Sequence, residues 1–531
     1  MSELDENELK IYDSLEAATI DNPNRASKQA KKKEAAKKAK QKMNSEMMAV
    51  VYFFMLLFFS LAGYLVYYNT QDKEILVNNT YNKRIEVMES ETIRGSILAS
   101  DGTTVLAETV TLADGTEDRT YPYANMFSHV IGFTYKGKSG IEKLANFYLI
   151  SSNDNPINQV QNDLNGLKNQ GDSVVTTLDI GLQKACYSAL GNNQGSIVCI
   201  EPSTGKILAM VSKPDYDPNT LELIWDTVVN EEEFDSILVN RSTQGLYPPG
   251  STFKVFTLLE YIRQHKDYED FTYDCNGSKS FEGVTVNCIY GKAHGHLTLK
   301  DALAQSCNSA FATMGLSLDK ELFAKHCNEL LFNSELPLEI EYNPSSFTLK
   351  LSSDTEETMQ TAFGQGETLM TPIHNCMMAA AIANDGVLMK PYLMQAIVNA
   401  SGSTIKKFSS EKYKTLMTKE EASVLTEYMT AVITEGTGTA LKTNDYTAAG
   451  KTGSAEHDNT GSHHSWFIGF APVEDPQIAI CVLLEDGYTG YHSAVDCARI
   501  VLDTYLTGDS DYTSSDSYSG IYEELTHAAT E

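Results

Sequence analysis

Three short polar elements carry residue types suited to acyl transfer. They are Pro249 Gly250 Ser251 Thr252 Phe253 Lys254, then Gln305 Ser306 Cys307 Asn308, then Gly450 Lys451 Thr452 Gly453 Ser454. A serine hydroxyl attacks a carbonyl well only when a base takes its proton, and a lysine is that base only once its own proton is displaced. On a helix, Ser251 and Lys254 stand one turn apart on a shared face. Burial and a neighbouring cation both disfavour the charged amine, so a proton-sharing Lys254 is chemically reasonable.

Ser306 offers a hydroxyl that can relay a proton, and Asn308 an amide that can bind a substrate carbonyl or orient Lys254. Lys451 can neutralise a substrate carboxylate, Thr452 can bond to it, and Gly453 lets an extended substrate approach the backbone. The N–H after this motif, in Ser454 or Ala455, would join that of Ser251 in an oxyanion hole. Ser251, Lys254, Ser306, Asn308 and Lys451 are therefore the catalytic candidates, with Thr452, Gly453, Ser454 and Ala455 binding substrate. Alone, Ser251 to Lys254 reads as chance and Ser306 to Asn308 as simple helix termination. The three elements in this order do not. Asn308 is a better catalytic candidate than Cys307, which points the other way in a turn and has no companion base.

The surrounding pattern supplies elements to hold these groups. After Ser251, the recurrence of Phe253, Phe256, Leu259 and Ile262, widened by Val255 and Leu258, predicts a buried helix. Thr298 with Asp301 predicts the N-terminus of another helix, ending near Ser306. The Lys451 motif is expected on an edge strand beside a cleft, followed by strands over 465–470 and 477–484. A hairpin is expected from 196–200 and 206–211 around Glu201 to Gly205, with helices over 179–190, 370–383, 419–434 and 494–506. Upstream, Arg94 to Ala107 reads as a hairpin around Asp101 Gly102, with a short helix over 141–149. The class is mixed α+β: an antiparallel sheet flanked by helices.

At 531 residues and 42% hydrophobic, the chain exceeds one ordinary core. Its formal charge of -30 disfavours general nucleic-acid affinity. A lysine-rich tract from Arg25 to Lys42 precedes the apolar run Met47 to Tyr68, which as a helix spans the roughly 30 Å of a hydrocarbon layer. Lysines before it and none just after favour a cytoplasmic N-terminus. A cleaved signal peptide and a buried core helix are the competing readings; the long leader and the absence of a small-x-small cleavage site favour a retained anchor. The expected divisions are a basic tail (1–45), an anchor (46–68), a stalk and small membrane-proximal domain (69–170), a catalytic domain (171–507) and an acidic tail (508–531).

Nine cysteines cannot all pair within one molecule. Cys275 and Cys288 bracket a loop that would admit a disulfide or hold two unpaired packing thiols, and the spacings resemble no zinc knuckle. His457, His463 and His464 lie in a loop without a spaced carboxylate. Gly436 Thr437 Gly438 Thr439 lacks the Lys-Ser or Lys-Thr of a nucleotide loop. Neither metal nor cofactor is expected.

With the three triads, Asn240 Arg241, Pro248 Pro249, Gly364 Gln365 Gly366, Thr371 Pro372 and Trp466 Phe467 Ile468 Gly469 Phe470, the chain resembles the monofunctional class B penicillin-binding transpeptidases. The resemblance covers about residues 171–506. Arg94 Gly95 to Ala107 and Gly140 Ile141 Glu142 extend it into the membrane-proximal region. It implies the penicillin-recognising fold, with a sheet, an all-helical subdomain, a small membrane-proximal domain and one transmembrane helix. It also implies peptidoglycan stem peptides as substrates, covalent inhibition by beta-lactams, and a membrane glycosyltransferase within a cell-wall synthesis complex as partner. By this resemblance, Ser251 attacks the penultimate D-Ala carbonyl and an amine of a neighbouring stem captures the acyl group. Cys307 and Ser454 are departures that bear on ligand preference. A D,D-carboxypeptidase, a beta-lactamase, and a non-catalytic scaffold or beta-lactam sensor are the alternatives.

Overall fold

The computed structural model describes residues 23–71, 83–230, 236–456, 463–487 and 493–508. Most of the expected stalk, His457 and the acidic tail from residue 509 lie outside them, as do the first 22 residues. The chain divides into two compact units, Met1–Asn82 and Lys83–Glu531.

In the first unit, one helix, Pro23–Gln71, runs through both the lysine-rich tract and the apolar segment. Its stretch Ser27–Tyr67 is long and apolar enough to cross a membrane, with a mean hydropathy of 2.3 in its most apolar window. Phe53, Phe54, Leu56, Phe58 and Phe59 are all exposed on it, an arrangement suited to a hydrocarbon layer and not to water. Such a helix near the N-terminus fits a membrane anchor or a signal sequence.

In the second unit, a five-stranded antiparallel sheet runs in the order Ala449–Glu456, His463–Ala471, Ile478–Leu484, Gly195–Ile200, Ile207–Lys213. Ile478–Leu484 is buried along its whole length, which is why it reads as a continuous apolar run and not an alternation. Its faces still differ with period two. Ile478, Ile480, Val482 and Leu484 join the core under the helices Ile180–Leu190 and Ala494–Thr507. Ala479, Cys481 and Leu483 join the opposite core, where the helix Pro372–Ala383 packs. The strand with the Lys451 motif is at the sheet's edge.

The predicted helices appear with their capping chemistry. Asp179 caps Ile180–Leu190, Thr298 and Asp301 form a reciprocal box on Leu299–Ala304, and Thr418 and Glu421 do the same for Lys419–Thr434. The helix expected over 141–149 is two short ones, Gly140–Leu144 and Asn146–Leu149, because Ala145 leaves helical geometry at φ -94°, ψ 6°. The helix-rich half also carries two antiparallel pairs, Thr272–Cys275 with Gly295–Thr298 and Ser278–Phe281 with Val284–Asn287.

A six-stranded sheet completes the unit: Thr404–Lys407, Met394–Val398, Ser173–Thr176, Ile97–Leu98, Val105–Thr111, Glu117–Thr120. Ser173–Thr176 pairs antiparallel with Met394–Val398 and parallel with Ile97–Leu98. The Asp101 carboxylate accepts from the N–H of Thr103 and of Thr104, both at 2.8 Å, closing the predicted hairpin turn. Below it, the fully buried Glu142 carboxylate meets two guanidiniums, with Arg94 Nη2 at 2.6 Å and Arg119 Nε at 2.8 Å.

Candidate active site

Gly250–Phe253 forms a 3₁₀ turn that runs into the helix Lys254–Gln264. Residues three apart eclipse in a 3₁₀ turn, so Ser251 and Lys254 align more closely than on the α-helix expected from periodicity. Lys254 Nζ lies 3.0 Å from Ser251 Oγ. The turn is pinned from several sides. Trp466 Nε1 donates to Pro248 O at 3.0 Å, Asn375 Nδ2 donates to Thr252 Oγ1 at 3.0 Å, and the Gly250 N–H donates to Gly364 O at 2.9 Å. At Gly364, φ is +85° and a Cβ would lie 1.8 Å from the Gly250 carbonyl oxygen, so only glycine fits.

Lys254 is fully buried, and its amine also lies 2.8 Å from Ser306 O, 3.1 Å from Ser306 Oγ and 2.6 Å from Asn308 Oδ1. Burial disfavours the ammonium and brings its pKa down to about 7. A neutral amine fits these partners: its lone pair accepts the Ser251 proton while two N–H groups donate to Ser306 O and Asn308 Oδ1.

Ser306 holds a left-handed backbone, φ +53°, between the helices Leu299–Ala304 and Asn308–Ser317. A non-glycine residue there costs on the order of 1 kcal/mol or more. The strained corner turns Ser306 and Asn308 toward Lys254, while the buried Cys307 thiol accepts from the Ala310 N–H at 3.4 Å as a helix cap. Asn308 Nδ2 is spoken for by Asn287 O at 3.0 Å.

Lys451 is also fully buried, and its Nζ donates to Ser306 Oγ at 2.9 Å and to Thr452 O at 2.8 Å. Burial first, and the Lys254 charge second, push its pKa well below the lysine range. Two amines thus share one hydroxyl. The sequence suggested a direct grip by Lys451 on a substrate carboxylate, but its amine sits behind Ser306 and away from the surface. Thr452 has a partner that the sequence did not flag: the exposed Thr437, with Oγ1 atoms 2.6 Å apart.

Gly453 has a second reason to be glycine. A Cβ there would lie 2.9 Å from Trp466 Cβ and 3.0 Å from Thr252 Cγ2, wedging the edge strand off the nucleophile turn. Ser454 lines a cavity of about 790 Å³ together with Ser251, Asn308, Gln365 and Glu456, whereas Ala455 is fully buried. His464 packs its ring edge-on to Tyr247 and accepts from the Asp486 N–H.

Three positioning residues escaped sequence reasoning: Asn287, Asn375 and Thr437. Asn375 left one trace, an amide in the wholly buried helix face of Pro372–Ala383. Cys275, Cys288 and Cys307 also gather with His294, although their spacing suggested nothing.

Residues 195–503 match the model of the penicillin-binding protein transpeptidase domain. The chain belongs to the penicillin-binding protein transpeptidase family. Residues 94–174 match a second family model, the penicillin-binding protein A dimerisation domain. Among relatives, the peptidoglycan D,D-transpeptidase PbpA of Mycolicibacterium smegmatis is 32% identical over 433 residues, covering 76% of this chain and 86% of that one. A D,D-transpeptidase domain from Eggerthella lenta superposes with a TM-score of 0.70 at 31% identity, covering 79% of this chain and 99% of that one. Penicillin-binding protein A of Mycobacterium tuberculosis, solved as an imipenem acyl-enzyme, gives 0.71 at 27% identity with the same two coverages. Both solved relatives carry the mixed helix-and-sheet fold of this family.

Proposed function

We propose that this chain is a peptidoglycan D,D-transpeptidase whose acyl-enzyme forms on Ser251. The neutral Lys254 amine takes the Ser251 proton as Oγ attacks the penultimate D-Ala carbonyl of a stem peptide. The oxyanion is met by the Ser251 N–H and the N–H of Ser454, which lines the cavity while Ala455 does not. As the amide bond breaks, the proton passes from Lys254 through Ser306 Oγ to the leaving D-Ala amine. Lys451, on the far side of that hydroxyl, donates to it and keeps it oriented. An amine from a second stem then attacks the ester, its proton returns by the same route, and the new amide is the cross-link.

Thr452 with Thr437 receives the terminal carboxylate, and Gly453 lets the edge strand lie close. Asn308 orients Lys254. The observation that carries this reading is the Ser251–Lys254 contact at 3.0 Å around a fully buried amine.

Beta-lactams are proposed to acylate the same Ser251 oxygen. The N-terminal helix is proposed as a single-pass anchor with its lysine-rich end in the cytoplasm and the catalytic unit outside. A separate membrane glycosyltransferase would supply the glycan strands. Neither nucleic acid nor a cofactor has a part in the reaction.

Intact-protein mass measurement after penicillin treatment tests the nucleophile: wild type gains one penicillin mass and Ser251→Ala gains none. Supplying a D-Ala-D-Ala stem with an amine acceptor tests the second half. Cross-linked product supports transpeptidation, and free acid with D-Ala alone would replace it with carboxypeptidation.

A further inference from the structure

Behind the active site, four metal-ligating side chains converge that the acyl-transfer chemistry does not use. We propose that Cys275, Cys288, Cys307 and His294 bind one zinc ion, through three thiolate sulfurs and His294 Nδ1.

The distances suit a tetrahedral ion. Cys275 and Cys288 Sγ lie 3.7 Å apart, Cys288 and Cys307 Sγ 3.8 Å, and Cys275 Sγ lies 3.4 Å from His294 Nδ1. All four ligand atoms fall within 4.8 Å of one another. With zinc bonds of about 2.3 Å to sulfur and about 2.05 Å to nitrogen, a tetrahedron separates sulfurs by about 3.8 Å and sulfur from nitrogen by about 3.6 Å. A disulfide would bring two sulfurs to about 2.05 Å and leave the third thiol and the imidazole unused. Here Cys288 stands equally far from two thiols.

The surroundings are those of a thiolate cluster. The Gly277 N–H points at Cys275 Sγ (3.4 Å), the Ala310 N–H at Cys307 Sγ (3.4 Å), and Ser309 Oγ lies 3.0 Å from Cys288 Sγ. Hydrogen bonds of this kind stabilise negative sulfur and fix its direction. The three cysteines are at most 2% exposed, so the shell is closed and the ion structural. Three sulfurs and one imidazole favour zinc over hard cations. On binding, the three thiols release their protons to solvent, and the filled cluster carries one net negative charge.

The ion also answers a packing problem. The strands Thr272–Cys275, Ser278–Phe281, Val284–Asn287 and Gly295–Thr298 each bury one residue or none. Segments with so little core need a staple. Three of the ligands come from these strands or the residues flanking them, and the fourth, Cys307, is flanked by Ser306 and Asn308. Cys288 follows Asn287, whose carbonyl holds Asn308. A bound zinc therefore fixes the corner that orients Lys254.

Full-length protein in detergent, isolated with reductant and without chelator, then incubated with zinc and desalted, tests this by elemental analysis and zinc-edge X-ray absorption. One zinc per chain in a shell of three sulfurs and one nitrogen is expected. Loss of that equivalent is expected in the Cys275→Ser, His294→Ala double variant and its retention in Cys327→Ser, a buried thiol outside the cluster. Absence of zinc from reconstituted wild type, an oxygen-dominated shell, or peptide mass spectra showing a Cys275–Cys288 or Cys288–Cys307 disulfide in fresh protein would overturn the proposal. The wild-type shell decides the matter even if the double variant fails to fold. Penicillin labelling of Ser251 is read separately, so zinc-free but labelled wild type would remove the metal and leave the acyl-enzyme standing.

Discussion

In the region of residues 94–174 the buried charge is a carboxylate clamped by two guanidiniums; at the active site it is two amines. Burial alone would raise the Glu142 pKa, but Arg94 and Arg119 overcome that and hold it below the usual carboxylate range. Lys254 and Lys451 have no carboxylate within ion-pair distance among the described residues, and both are driven toward the neutral form. One cluster spends its electrostatics on holding Arg94 Gly95 against Gly140 Ile141 Glu142. The other gives up stability to keep a base at the ready.

Removing the base should separate these roles most sharply. Ser251→Ala abolishes the penicillin adduct, and Lys254→Met slows acylation by roughly 10²- to 10⁴-fold, read by stopped flow with a fluorescent penicillin. Lys254→Met should unfold no more easily than wild type, since it removes an amine that costs stability. Glu142→Gln should do the reverse. Breaking a buried pair that leaves two guanidiniums unmatched costs about 3–5 kcal/mol in denaturant titration, while the acylation rate per folded molecule stays near that of wild type.

The pH responses should also differ. Acylation should climb as pH rises through about 7, where Lys254 gives up its proton, and Lys254→Met should lose that step. Between about 7 and the ordinary lysine range the unfolded chain binds the Lys254 proton and the native one does not, so stability rises with pH across that window. Glu142 contributes stability above the ordinary carboxylate range, and this is lost as pH falls through its lowered value. Glu142→Gln should therefore flatten the acid side of the stability curve and Lys254→Met the alkaline side. The smallest effect is expected at Thr437→Val, which removes one hydrogen bond to Thr452. A loss of about 1 kcal/mol would appear as a several-fold weaker apparent affinity for a stem peptide, with the pH profile unchanged.

Much of this was legible in local pattern. The capped helices over 180–190, 299–304 and 419–434 follow from their Asp or Thr caps, and the strand over 478–484 from its apolar run. What stayed hidden depends on contacts between distant segments. Periodicity from Phe253 to Ile262 could not show that Ser251 sits in a 3₁₀ turn, because Gly364 and Asn375 set that turn from more than a hundred residues away. The edge strand carrying Lys451 was legible, but the full burial of its amine against Ser306 was not, because no propensity announces the left-handed corner at Ser306. The Cys275, Cys288, His294 and Cys307 grouping eluded spacing rules because its ligands arrive on two separate strand pairs and a helix cap.

The six-stranded sheet bears on how the molecule could be divided. Ser173–Thr176 is an interior strand with the Ile97–Leu98 hairpin on one side and Met394–Val398 on the other. A cut at residue 170 would strip the upstream part of its inner strand and the downstream part of a neighbour for residues 394–398.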